Sequence, residues 1–557
     1  MKTAKTLLCI LLIALLSLSI AGCGGNGSST QSSSSSTNSS SSSSNSSNSS
    51  SSSTASGNSG GITVDTDEFV SYTLGHAGAF GRFYAGLTPT EHHSSADAVF
   101  DVIFRADPTT KEIFSWCLES WEWIDDVTFN MKLREDVYFN NGVQAKSNDL
   151  LYSYTSYADR GASTFETWGI VWEECKTLDD YTVQMKFEET YPPFLYTIVY
   201  LINEEWCRRV GWESLEWLNN PVGSGPYRVV EYSTDQRVVL QAVDNWWNKD
   251  AGPIYVDEWI VKNYPDSATM FMDLEVGNID FCQVNAADYS RYLREGGNGY
   301  EVAVESIGTT LMCYMGYLDN PGWYDKRVRE AMAYGVEWDE IGKIQYGDLY
   351  KPSWSVATTA CPYYINPGTY EYDPDRSRAL MIEAGYGPDN PFKIVTTMTD
   401  TDKAALEAIQ YYMAQFYIDF TINITDGATA IAIWRSPGGS DLAIWRAHRG
   451  SPNHEIRAGM TYVAHRLVDT FSYIDHERFQ ELYYILGHTL DEDVLRSANT
   501  EIQQLIYDEV LAIPISECMY SMGYRTDRFI SEEQLKSICT TGSIIQLSRL
   551  GLLSTWQ

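Results

Sequence analysis

Basic residues are scarce in this chain: 39 lysines and arginines stand against 74 aspartates and glutamates, a formal net charge of −35 over 557 residues. Binding to nucleic acid needs a basic face that neutralises phosphates, and the counterions so released supply most of the affinity, so a general nucleic-acid binder is excluded. The acidity instead implies a soluble, self-repelling surface. Histidine is also sparse, and the ten cysteines contain no CxxC pair and no Cys/His spacing for zinc. With Cys9 and Cys23 set aside, Cys117, Cys175, Cys207, Cys282, Cys313, Cys361, Cys518 and Cys539 are scattered along the chain. Export permits disulfides without requiring them, and a free cysteine often serves as a small buried apolar residue, so no pair is assigned.

Catalytic signatures are missing too. His454-Glu455 opens like a zincin, but Ala458 occupies the position of the second histidine. Gly223-Ser224-Gly225 is not a nucleophile elbow and lacks the third glycine of a dinucleotide loop, while Pro226 and Tyr227 suit the entry to a strand. His92-His93 invites a nickel reading, yet adjacent histidines on an extended segment point to opposite faces. A secreted hydrolase stays as the competing class only because 74 acids always offer carboxylate pairs.

What is present begins at the amino terminus. MKTAKTLLCILLIALLSLSIAGC places Lys2 and Lys5 before an apolar stretch, with small residues before Cys23. That is the pattern of an export signal, and the apolar run is shorter than the roughly 20 residues a spanning helix needs. Its Ile-Ala-Gly-Cys end resembles the lipobox of bacterial lipoproteins, which implies cleavage before Cys23 and acylation of that thiol. Residues 24–61 are nearly all Ser, Asn, Gly and Thr; such a tether has a root-mean-square reach on the order of 35 Å.

Beyond it, 44% hydrophobic and 13% aromatic content predicts globular domains with full cores. Phe129, Met131 and Leu133 alternate, Asn140-Asn141-Gly142 follows as a turn, and Val183, Met185 and Phe187 repeat the period of two. Tyr227–Tyr232 and Arg237–Val243 read as two strands joined by a turn, and Ser147 reads as a helix cap. Further on, Asp325 caps a helix with Val328, Ala331, Met332 and Val336 along one stripe; Asp373-Pro374 starts another, which Gly385 ends. A strand over 394–399, a helix over 402–418 burying Ala405, Ile409, Met413 and Phe416, and strands over 420–425 and 441–445 follow. This rhythm predicts parallel pairing with right-handed crossovers. In open parallel sheets ligands collect beyond the carboxyl ends of strands. The cationic stretch in DLAIWRAHRGSP, leaving the strand at 441–445, is therefore a candidate cleft lining.

Several segments resemble the family 5 extracellular solute-binding proteins, receptors of dipeptide, oligopeptide and nickel ABC importers. They are FNMKLREDVYFNNGVQAKSNDLLYSY, PVGSGPYRVVEY with QRVVLQAVDNWWN, LEVGNIDF, DKRVREAMAYGVEWDEI, YDPDRSRALMIEAGY and IPISECMYSMGYRTDRF, in order across nearly the whole chain after the tether. The resemblance implies an α/β fold of the two-lobed periplasmic-binding-protein kind, in its large type II peptide-binding variant. Residues 1–22 would be the signal peptide, 23–61 the lipidated cysteine and tether, 62–309 lobe I with a subdomain at about 86–220, 310–511 lobe II, and 512–557 the return to lobe I. It further implies a monomer with no cofactor, lipid-anchored to the outer face of the cell membrane or periplasmic, which hands its solute to permease and ATPase subunits. Oligopeptide is the first expectation for that solute, with oligosaccharide, an anionic small solute or nickel as alternatives.

In peptide-binding members a Trp-x-x-Asp motif leaves the strand in question, and its Asp anchors the peptide amino terminus. Here Trp445 matches, but His448 stands where the Asp is expected and Ser451 replaces a second acid. Arg446, His448 and Arg449 suit a carboxylate or another anion, which arginine grips in a fork. They could instead point outward and pair with surplus acids, contacts that contribute about 0 to 1 kcal/mol. Trp434 and Arg435 repeat the Ile-Trp-Arg triplet and are read as pocket wall or core.

Overall fold

Phe129, Met131 and Leu133, which alternate in the sequence, all lie fully buried on one face of a strand in the computed structural model of the chain. The structure describes residues 70–77, 96–106, 113–159, 168–196, 199–211, 214–233, 236–250, 254, 256–317, 320–434, 440–446 and 476–528. The first strands are β1 (Ser71–Ala77), the short pair β2 (Arg105–Ala106) and β3 (Ile113–Phe114), β4 (Leu118–Asp125), β5 (Thr128–Leu133), β6 (Lys176–Thr177) and β7 (Thr182–Lys186). Strands β4 to β7 form an antiparallel sheet in the order β4-β5-β7-β6, and helix α1 (Ser147–Asp159) belongs to the same stretch of chain. The Asn-Asn-Gly turn lies between Tyr138 and Gln144, which bridge, and Gly142 takes a φ of +83° there.

Ser147 does not cap α1 as expected. Its hydroxyl donates to the Asp179 carbonyl at 2.6 Å, while the Asp149 carboxylate accepts from the Lys146 and Glu204 backbone N–H groups. A carboxylate within the first turn is the stronger acceptor for helix-end donors, which leaves the serine to a tertiary contact.

The chain then returns to the large sheet. Its strands are β8 (Tyr227–Ser233), β9 (Arg237–Ala242), β10 (Glu258–Tyr264), β11 (Phe281–Gln283), β12 (Tyr300–Met315) and β13 (Lys351–Pro352), and later β16 (Leu442–Arg446) and β17 (Ala512–Arg525). Their order is β16-β12-β17-β11-β1-β10-β9-β8, with β13 also on β17. β1 is parallel to β10 and β11, and the other ladders are antiparallel. Entry to β8 is close-packed: a Cβ at Gly223 would lie 2.0 Å from the Val99 carbonyl oxygen, so only glycine fits.

Between β12 and β17 lie the helices the sequence predicts. Asp325 caps α2 (Lys326–Gly335) by accepting from the Arg327 N–H, and Val328, Ala331, Met332 and Val336 are buried. Asp373 caps α3 (Pro374–Glu383), with Pro374 in its first turn and Gly385 at φ +94° beyond its end. β14 (Phe392–Thr399) and β15 (Ile418–Thr425) flank α4 (Lys403–Met413), which buries Ala405, Ile409 and Met413 with Phe416 just past it. β14 and β15 pair parallel as predicted. β16 departs from that prediction: its ladder is antiparallel to β12, Met312 facing Trp445 and Leu311 facing Arg446, although the Asp441 N–H donates to the Val395 carbonyl of β14. The cause is a partner distant in sequence, which local periodicity does not reveal. Helices α5 (Gly427–Trp434), α6 (Glu477–His488) and α7 (Glu492–Asp508) follow in this part of the chain.

Buried apolar residues fall mainly into two clusters. One gathers residues of β1, β4, β5, β7 to β10 and the segments between them; the other gathers α2, α4, α6, α7, β14, β15 and β16. β12 and β17 run from one to the other: Ala303, Met522 and Tyr524 sit in the first, Leu311 to Met315 and Ala512, Ile513, Ile515 and Cys518 in the second. Among the described residues seven cysteines are free, and all except the half-buried Cys175 are buried.

Candidate functional site

Where β12 and β17 pass between the clusters, their ladder breaks. Ser306 faces Met519 and Thr310 faces Glu517, so Ile307, Gly308 and Thr309 bulge against Cys518 alone. Gly308 adopts φ +65°, a conformation that suits glycine. One row of the sheet here runs from Arg446 on β16 through Leu311 on β12 and Ser516 on β17 to Pro352 on β13; the next carries Thr310, Glu517 and Lys351.

That second row is polar inside an apolar strand. Glu517 is 1% exposed, and its carboxylate accepts from Lys351 Nζ at 2.6 Å, the Thr359 N–H at 2.8 Å, the Thr359 hydroxyl at 3.2 Å and the Ser306 hydroxyl at 3.3 Å. A buried carboxylate is tolerable only when paired and hydrogen-bonded in this way. Thr309 and Thr310 are buried beside it, and their hydroxyls have no hydrogen-bond partner among the described residues.

The sequence-predicted residues divide into three sets. Trp445 and Arg446 close β16 and so arrive next to the bulge, on the backbone evidence of the ladder. Trp434 ends α5, with β14 and β15 as its sequence neighbours upstream. Arg435, His448 and Arg449 lie outside the described residues, as do Cys23, His92, His93, His454 and Cys539. Glu517, Lys351, Ser306, Thr309 and Thr310 were missed. A signal for the first existed: a lone acid inside Ile-Pro-Ile-Ser-Glu-Cys-Met is out of place in a buried strand unless partnered.

A second junction between the clusters lies away from the strands. Tyr191 and Phe194, next to and within the 3-10 turn Pro192–Tyr196, belong to the first cluster, while Leu482, Tyr483 and Leu486 of α6 belong to the second. On the exposed side of α6 the Tyr484 hydroxyl donates to Glu189, and His488 meets the Tyr191 ring edge-on at 5.6 Å. Nothing in the sequence marks this contact, which joins residues nearly three hundred positions apart.

Among the described residues no helix is long and apolar enough to cross a membrane, and no group of His, Cys, Asp and Glu is arranged to hold a metal ion.

The model of the bacterial extracellular solute-binding proteins, family 5, matches residues 112–457. A putative ABC transporter peptide-binding protein of Brucella ovis is 27% identical over 330 residues, covering 57% of this chain and 61% of the relative. The match thus spans about three fifths of that relative's length. The Helicobacter pylori ABC transporter-associated periplasmic binding protein DppA, solved with the peptide STSA, superposes with a TM-score of 0.72 at 19% identity over 87% of this chain and 98% of that one. NikA from Staphylococcus aureus, solved with Ni(L-His)2, gives a TM-score of 0.66 at 16% identity over 83% and 97%. These likenesses establish a two-lobed α/β fold. One fold neighbour holding a peptide and another a nickel complex means that the fold by itself does not choose the ligand.

Proposed function

We propose that this chain, which belongs to the bacterial extracellular solute-binding proteins of family 5, captures a small solute between its two lobes, an oligopeptide first of all, and delivers it to the permease and ATPase subunits of an ABC importer. The observation that carries the reading is the ribbon of β12 and β17, which has buried residues in both apolar clusters and a glycine-containing bulge between them. Such a ribbon can absorb a rotation of one lobe against the other. A solute touching both lobes stabilises only the shut arrangement, so capture requires no bond to be made or broken. On this reading the chain is a receptor rather than a catalyst, and acylated Cys23 with its serine-rich tether holds it at the outer face of the membrane.

A second reading concerns ligand charge. His448, flanked by Arg446 and Arg449, stands where the family resemblance expects an acid in peptide-binding members, which favours a solute with a carboxylate or other anionic group near the end of β16. Mass spectrometry of solute that co-purifies with the protein tests both readings at once. With the solute in hand, Arg446→Ala, His448→Ala and Arg449→Ala are each expected to weaken calorimetric affinity by about tenfold, the value of a charge-assisted hydrogen bond, while the melting temperature stays near the parent's. Unaltered affinity in all three variants removes this loop from the pocket, and turnover in place of stoichiometric saturation removes the receptor reading.

A further inference from the structure

His488 is held in a fixed tautomer. Its Nδ1 lies 2.7 Å from the Tyr484 carbonyl oxygen, and because a carbonyl can only accept, Nδ1 carries the proton. The ring also stacks on Tyr484, centroids 4.1 Å apart and planes 12° from parallel. Its remaining nitrogen, Nε2, lies 3.9 Å from the carboxylate of Glu189, two residues before Tyr191 of the first apolar cluster. In neutral imidazole that nitrogen presents a lone pair to the carboxylate. Once protonated it presents an N–H, and the same approach becomes an ion pair.

We propose that α6 and the segment 189–196 form a proton-operated clasp, in which protonation of His488 against Glu189 holds the two lobes shut. The clasp rests on the two-lobe reading above and goes beyond it, because it acts on closure without a solute. Four groups make it: Glu189 and Tyr191 from the segment that enters the first cluster through Tyr191, and Tyr484 and His488 from α6, which enters the second through Leu482, Tyr483 and Leu486. The Tyr484 hydroxyl remains a donor throughout, since its hydrogen bond to Glu189 pushes its titration upward. The charged groups that follow on α7 and its cap have partners of their own among the described residues. Glu492 and Arg496 of α7 pair at 3.3 Å, the Glu492 carboxylate also accepts from Tyr363 at 2.6 Å, and Asp491 caps α7 through the Asp493 and Val494 N–H groups.

The sign follows from linkage. His488 gains an anionic partner only when the lobes are shut, so its pKa is higher in the shut state than in the open one. The stabilisation of closure is therefore fully present below the open-state histidine pKa and fades as pH rises through the shut-state value.

The test measures separation between fluorophores introduced through unnatural amino acids at Glu122 on β4 and Glu407 on α4, both exposed, in the full-length, solute-free chain. Between about pH 7.5 and about pH 5.5 the closed-to-open ratio is expected to rise about three- to fivefold, the range a partly exposed ion pair supports. His488→Gln and Glu189→Gln should each abolish the change, and Glu189→Gln should also lower the His488 titration midpoint read by NMR. A separation indifferent to pH in the parent, a full response retained in His488→Gln, or an unmoved His488 midpoint in Glu189→Gln overturns the clasp. Adding solute to the same labelled chain keeps the two readings distinct: a response to pH with no response to any solute sinks the receptor reading and leaves the clasp standing.

Discussion

Thr310 is fully buried, yet its hydroxyl finds no partner among the described residues. An unmade hydrogen bond of this kind costs about 1–3 kcal/mol, and removing the hydroxyl without changing side-chain shape recovers part of it. Thr310→Val is thus expected to raise the unfolding free energy by about 1 kcal/mol in chemical denaturation, and a loss of stability would show that the hydroxyl is satisfied. Asp149 is the opposite case, a buried carboxyl with several donors: the Glu204 N–H at 2.8 Å, the Lys146 N–H at 2.9 Å and Asn203 Nδ2 at 3.5 Å. Burial outweighs those hydrogen bonds and pushes its pKa up to about 6. Between the ordinary carboxylate pKa and that value the folded chain holds a proton that the unfolded chain has released. Stability from this group therefore falls as pH rises from about 4 to about 6, and is lowest above both values. A carboxyl-detected NMR titration of Asp149 with its midpoint near 6 is the expected result; a midpoint near 4 would contradict it.

Elements whose cause is local were legible in the sequence. The caps at Asp325 and Asp373 and the stripe Val328, Ala331, Met332 and Val336 followed from residues within a few positions of one another, as did the alternation in β5 and β7. Where the cause lies far off, the sequence was silent. The antiparallel partner of β16 is more than a hundred residues upstream, Ser147 is drawn away from its cap by Asp179, and the Glu517 network draws donors from β12, β13 and the loop at Thr359. Near the candidate site, strand β16 was legible through its pattern, and the bulge on β12 was missed because an irregular register has no periodicity to read. The bulge nevertheless yields a clean test. A Cβ at Gly308 would meet nothing within 4 Å, so Gly308→Ala is burdened by its φ of +65° alone and should cost about 1–2 kcal/mol. Gly223→Ala should cost more despite an ordinary φ, because its Cβ would collide with the Val99 carbonyl. Equal losses in thermal unfolding would mean that the bulge is not strained in this way.

At the scale of the whole molecule, the closure proposed above and the stability of the fold draw on separate devices: the ribbon and the clasp concern how the lobes meet, while each apolar cluster maintains its own interior. The buried thiols belong to those interiors. Burial, reinforced by the nearby Asp101 charge, pushes Cys117 up to about 12, and burial likewise raises Cys282 and Cys313. Since the thiolate is the reactive form, these groups should resist a thiol reagent such as dithionitrobenzoate in the native protein and react only in denaturant; rapid labelling of Cys117, Cys282 or Cys313 under native conditions, located by mass spectrometry, would contradict their burial. None of the seven described cysteines contributes a covalent cross-link to the fold. Maturation of this part of the chain consequently asks nothing of an oxidase or isomerase, and its stability should be the same in anoxic, sulfide-rich surroundings as in air.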